Sequence, residues 1–123
     1  MQQSSEDVFF NELMQIFKAQ LAEKQKTLKQ QQIKLDLLVQ YAEAAHMAEK
    51  AKNYEAAINF FELAIDLDEN YVHGCERLAI HYHRLGRFAD EKRVILRGIE
   101  MAKRKRYSNS LEFFTRRLGR LKM

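Results

Sequence analysis

Asn53-Tyr54-Glu55-Ala56-Ala57-Ile58-Asn59-Phe60-Phe61-Glu62-Leu63-Ala64-Ile65-Asp66-Leu67-Asp68 decides how the rest of this chain is read. Ile58, Phe61, Ala64 (or its neighbour Ile65) and Leu67 recur in steps of three or four, the single apolar stripe of a half-buried helix. Asn53 stands just ahead of that stripe, where a side-chain oxygen satisfies a free amide of the first turn. Ala51-Lys52-Asn53-Tyr54 therefore reads as the turn into the helix, and Asp68-Glu69-Asn70 as the turn out of it.

Upstream, Tyr41, Ala44, Ala45 and Ala48 mark one face of another helix, small enough for close approach. The whole pattern then returns further along the chain. Tyr41, Ala44, Ala45, Ala48, Asn53, Tyr54, Ala57, Phe61, Ala64 and Leu67 fall against Cys75, Leu78, Ala79, Tyr82, Arg87, Phe88, Glu91, Ile95, Gly98 and Met101. A period of about 34 with small and aromatic residues at set places is the mark of stacked helix–turn–helix units. Leu85-Gly86-Arg87-Phe88 repeats the turn, with Gly86 suited to the left-handed backbone at a helix end. Proline is absent, and nothing from Met1 to His73 must interrupt a helix. The chain is expected to be all-α.

Residues 38–105 resemble the tetratricopeptide repeat family, with one unit at 38–71 and a more degenerate one at 72–105. Several positions depart from the family pattern. Cys75 stands where Tyr41 supplies the first aromatic, Ala45 and Ala79 where glycine is usual, and Glu69 where proline is usual. Glu91 and Gly98 replace small alanines. A glutamate at a tight helix contact is costly unless exposed or paired. The resemblance implies an α–α superhelix whose first helices line a concave groove, and a non-catalytic adaptor that binds a peptide or protein there. By position, the groove residues are Val39, Ala42, His46, Glu49 and Lys50 in the first unit. His73, Glu76, Ile80, His83 and Arg84 follow in the second, with Phe114 and Arg117 added by the last helix. The bland alternative is a solvated face. Ala42 and His46 stand where the carboxylate clamp of chaperone-tail adaptors begins, which disfavours that subclass.

Before the repeats, residues 1–37 form a helical segment opening at about Glu6, with Ser4 and Ser5 as candidate caps. Met14, Leu21, Leu28 and Leu35 recur every seven residues, flanked by Phe10, Phe17, Lys24, Gln31 and Leu38. That is a heptad seam, apolar at its ends and polar in its middle. Two readings follow: a surface helix whose aromatic end folds back on the repeats, or a homodimer joined through Phe10, Met14, Phe17, Leu21 and Leu28. A break at Asp36, capping a new helix from Leu37, is open on sequence alone.

Residues 106–123 read as a basic helix covering the apolar end of the stack. Leu111, Phe114, Leu118 and Leu121 form its stripe, and Asn109 with Glu112 resembles a capping box. The net charge of +4 conceals an asymmetry. Residues 103–123 hold eight Lys or Arg against the single acid Glu112, leaving −3 for the first 102. Lys103, Arg104, Lys105, Arg106, Arg116, Arg117, Arg120 and Lys122 therefore offer a candidate polyanion or nucleic-acid surface. The competing reading is a complement to the negative end of the preceding helix.

The remaining features narrow the classes. Cys75 is alone, which fits a reducing compartment and a buried thiol rather than a nucleophile. The start is polar and acidic, unlike a secretory signal, and no apolar run reaches the roughly 20 residues of a membrane span. The expected location is cytoplasmic, with no membrane association. No phosphate loop, paired cysteines or His-Glu-x-x-His pattern occurs. His81 and His83 point apart on a helix, and only a convergence of His46, Glu49 and His83 would make a metal site. No cofactor, metal or catalytic group is expected, and a purely structural oligomerisation module is the remaining alternative.

Overall fold

The computed structural model describes residues 5–121, and these contain five α-helices and no strand. They are α1 (Ser5–Lys50), α2 (Tyr54–Leu67), α3 (Val72–Arg84), α4 (Phe88–Lys105) and α5 (Ser108–Leu121). The candidate cap Ser4 and the basic Lys122 lie outside the described residues. The chain divides into two units at Asp36/Leu37.

In the first unit, α1 opens at Ser5 with Glu6 and Asp7 in its first turn, where carboxylates suit the positive end of the helix. There is no break at Asp36. Its carboxylate accepts instead from Gln32 Nε2 at 2.9 Å, one turn back within the same helix. The side chains of Phe10, Met14, Phe17, Leu21 and Leu28 are all more than half exposed.

The second unit runs from Leu37 and repeats its own punctuation. α1 ends at Lys50 and α3 at Arg84; α2 begins at Tyr54 and α4 at Phe88, each pair one repeat length apart. Both helix ends close in the same way. Lys52 has φ 59° and Gly86 φ 74°. The following amide, Asn53 or Arg87, reaches back to the carbonyl of Ala48 or Tyr82 at 2.9 Å. α4 closes likewise at Arg106, φ 58°, with the Tyr107 amide on the Ala102 carbonyl at 2.9 Å. Glycine accepts this left-handed backbone freely, whereas Lys52 and Arg106 hold it against a steric penalty. Asn53 caps α2 as its position demands, Oδ1 accepting from the Ala56 amide at 3.2 Å.

Close backbone approach joins α2 to α3, α3 to α4, α4 to α5 and α3 to α5. Ile58, Phe61 and Ile65 of α2, Cys75, Leu78 and Tyr82 of α3, and Val94, Ile95 and Met101 of α4 fill the core between them. The face expected to bring α1 close is only partly used, since of Tyr41, Ala44, Ala45 and Ala48 only Ala45 is fully buried. The end of α1 meets its neighbours through bulky groups instead. The His46 ring lies edge-on to Phe61, with centroids 5.4 Å apart, and this width replaces a tight small-residue contact.

Phe114 of α5 is fully buried, and its ring lies where a side chain at Gly98 would be. Gly98 thus serves the seat of the covering helix, and Phe114 belongs to the core rather than to a groove. The candidate capping box is displaced as well. α5 begins at Ser108, so Asn109 lies inside it, and the Glu112 carboxylate accepts from Arg116 at 2.6 Å. The local reason is that the Tyr107 carbonyl already accepts the Leu111 amide, which sets the helix start ahead of Asn109.

On another side of the unit, polar groups tie α2 to α3 and α4. Tyr82 Oη donates to Glu62 Oε1 at 2.5 Å, and Arg93 Nη2 donates to the same oxygen. Arg97 spans Asp66 and the Ile65 carbonyl. Burial first, then the Glu62 carboxylate, raises the Tyr82 hydroxyl above its ordinary range.

Candidate functional site

Two carboxylates organise the polar chemistry of the second unit. The first is Glu49, near the end of α1. Its Oε1 lies 2.9 Å from His46 Nδ1, and its Oε2 lies 2.8 Å from Arg77 Nε and 2.5 Å from His81 Nε2. Burial opposes ionisation of this carboxyl, but the hydrogen bonds from Arg77, His81 and His46 outweigh it and hold Glu49 below the usual carboxylate range. An ionised carboxylate only accepts, so the His81 proton sits on Nε2.

That assignment leaves His81 Nδ1 as a buried acceptor with no partner among the described residues. The imidazole is fully buried, tilted against Tyr54 at 5.2 Å and stacked on Phe61 at 6.3 Å. Burial pushes His81 below the ordinary histidine range, against the pull of Glu49. His73 is lowered too, by burial and then by the charge of His46, whose ring is 5.4 Å away. The cluster is closed on itself, because Glu49 faces Arg77 and the imidazoles of His46 and His81.

The second carboxylate is Glu91 of α4, 1% exposed. The cost of burying it is offset by His83 Nδ1, 3.0 Å from Oε1, and Arg117 Nη1, 3.4 Å from Oε2. Unlike the first, this group forms the floor of a cleft of about 490 Å³, lined by His83, Phe88, Glu91, Arg117, Arg120 and Leu121. Phe88 is half exposed on the cleft wall, its ring 5.6 Å from that of His83. Arg117 is held by Glu91 and lies 4.9 Å over the Phe113 ring. Arg120 lines this cleft and a shallower recess formed with Asn109, Glu112, Phe113 and Arg116. An apolar wall beside a guanidinium suits a ligand with a hydrophobic side chain and a carboxylate.

The sequence-derived groove set is therefore divided. Glu49, His46 and His73 gather in the first cluster, and His83 lies in the second. The supposed meeting of His46, Glu49 and His83 does not form, because His83 turns to Glu91 and His81 takes its place beside Glu49. Among the described residues, no group of three or more His, Cys, Asp or Glu is arranged to hold a metal ion. Arg84 lies 4.9 Å over the Tyr54 ring, and Glu76 accepts from Ser110 Oγ at 2.6 Å. Val39 and Lys50 are exposed, whereas Ala42 and Ile80 are half-buried. Arg77 and His81 lie outside the sequence-derived set, although their spacing of one helical turn sets both on one face of α3, opposite an acid.

The basic set is divided too. Arg104 donates to the Glu69 carbonyl at 2.9 Å, while Arg116 and Arg117 pair with Glu112 and Glu91. Lys103, Lys105 and Arg106 stand exposed at the end of α4, where cations suit the helix terminus. Cys75 lies against Met101, Sγ to Sδ 3.8 Å, and burial pushes its thiol up to about 12. Among the described residues, no helix is long and apolar enough to cross a membrane. Comparison with family models, with curated proteins and with solved structures returns no match for this chain.

Proposed function

We propose that this chain is a tetratricopeptide-like, non-catalytic adaptor that holds a peptide or protein segment and self-associates through α1. The observation that carries the reading is the cleft beside α3, α4 and α5, with a paired carboxylate floor, an apolar wall and Arg120 at its edge. Helix ends and starts that recur at one repeat length, with matching left-handed closures at Lys52 and Gly86, support the repeat assignment. Lys50, His73 and Arg84 are exposed, outside the cleft lining. A buried lone thiol and the lack of a spanning helix among the described residues accord with a cytoplasmic site of action.

The binding chemistry favours an extended segment bearing a hydrophobic side chain next to an acidic residue or a terminal carboxylate. Affinity capture with mass spectrometry, run beside an Arg120→Ala and Phe88→Ala double variant, tests this. Partners retained by the wild type and lost by the double variant are the expected result. Equal capture by both would move the site away from the cleft. Polyanion binding is the weaker reading, since Arg104, Arg116 and Arg117 already have protein partners.

A further inference from the structure

The apolar stripe of α1 sits on a helix whose charges are segregated along its length. Glu6, Asp7 and Glu12 are the only charged residues between 5 and 17, whereas 18–35 contains Lys18, Lys24, Lys26, Lys29 and Lys34 against one acid, Glu23. Phe10, Met14, Phe17, Leu21 and Leu28 are each 54–63% exposed along that polarised rod. An amphipathic helix of this kind gains its stability by burying the stripe against a partner.

A second copy is the occupant with the matching chemistry, and the charges dictate its direction. In a parallel, in-register pair, Lys24 would face Lys24 and Gln31 would face Gln31 within the seam. The acidic ends would also meet, as would the lysine-rich ends. Reversing one helix removes all of these conflicts. Phe10 then faces Leu28, Phe17 faces Leu21, and Lys24 faces Met14. There the lysine stem packs on the thioether while its ammonium reaches out toward the acids of the other chain. Each acidic end lies along a lysine-rich stretch.

We propose that residues 5–33 of two copies pair as an antiparallel coiled coil, with Phe10 opposite Leu28 and Phe17 opposite Leu21. This rests on the self-association reading above and adds its direction and register.

The test is a spin label on the full chain at Val8→Cys, in a Cys75→Ala background, read by pulsed dipolar spectroscopy. The antiparallel register places Val8 opposite position 30 of the other copy. The two labels then lie about 33 Å apart along the axis, at about 1.5 Å per residue. A parallel pair would bring them within about 20 Å, since paired helix axes are only about 8–10 Å apart. The longer distance, lost in Leu21→Asp with Leu28→Asp, supports the proposal. The shorter one would overturn the direction while leaving self-association intact. No dipolar signal at high protein concentration would remove self-association itself. A signal that survives the double aspartate variant would place the contact outside the seam and overturn the pairing.

Discussion

Glu49 and Glu91 are both withdrawn from solvent, yet they stand in opposite circumstances. Glu49 ends in a saturated network, with one oxygen on His46 and the other shared by Arg77 and His81. Glu91 is more deeply buried but has fewer partners, and it faces a cleft with a guanidinium at the edge. The first arrangement satisfies its electrostatics inside the protein. The second has a further guanidinium, Arg120, at its edge. On the proposed reading, burial alone does not separate a structural carboxylate from one at a binding site; the saturation of its neighbours does.

The largest expected effect comes from dismantling the second site while sparing the first. Phe114→Ala removes a fully buried ring and should cost about 3–5 kcal/mol. It should loosen α5, and with it the Glu91 cleft. Urea unfolding together with hydrogen exchange would show protection falling across 108–121 first. Uniform loss across α2 and α3 as well would mean that the two sites are not separable.

Glu49→Gln should come next. Cutting a buried ion pair costs several kcal/mol, and the partial exposure of Arg77 and Glu49 lowers the expectation to about 2–3 kcal/mol. Cleft binding should change little once the variant is folded, which calorimetry with a captured peptide would check. A matched loss of affinity and stability would make Glu49 part of the binding surface.

Acidification probes the same cluster more gently. His81 and His73 have folded-state pKa values below 6.5, so the unfolded chain binds more protons as pH falls past that value. Their contribution to stability is present above pH 6.5 and is lost as pH falls through the lowered folded values. Glu49, depressed below 4.5, contributes above that pH and loses its contribution further down. Stability measured in urea on acidification from neutral pH should fall in this order. A flat profile over the first two units of pH would show that neither imidazole is held neutral.

The smaller tests concern Lys52 and Arg120. Lys52→Gly should stabilise by about 1 kcal/mol, because glycine relieves the left-handed strain that Gly86 already avoids. A lower midpoint in thermal melts would contradict that strain. Arg120→Ala should alter stability by no more than about 0.5 kcal/mol, as a surface change, yet reduce ligand affinity at least tenfold. Unchanged affinity would leave the cleft without its anion partner.

Much of the helical layout was legible because its signals are local. The cap at Asn53, the left-handed site at Gly86 and the stripes of α2 and α4 each follow from a few neighbouring residues. The departures at Glu91 and Gly98 were visible as anomalies but not as solutions. Their partners, Arg117 and Phe114, belong to α5, whose apolar stripe is a local signal but whose register against α4 is not. The same limit hid the Glu49 network. Its choice of His81 over His83 depends on which face of α3 turns toward the end of α1, a tertiary fact. Continuity of α1 past Asp36 was open because an aspartate is equally at home as a cap or, bonded to Gln32, within a helix.

The seclusion of Cys75 has a practical corollary. Packed against Met101 between α3 and α4, and with its thiol held protonated, it is silent toward alkylating reagents while the native packing lasts. Any modification at Cys75 would therefore count moments when α3 parts from α4. The chain carries its own clock for local opening, with no probe introduced.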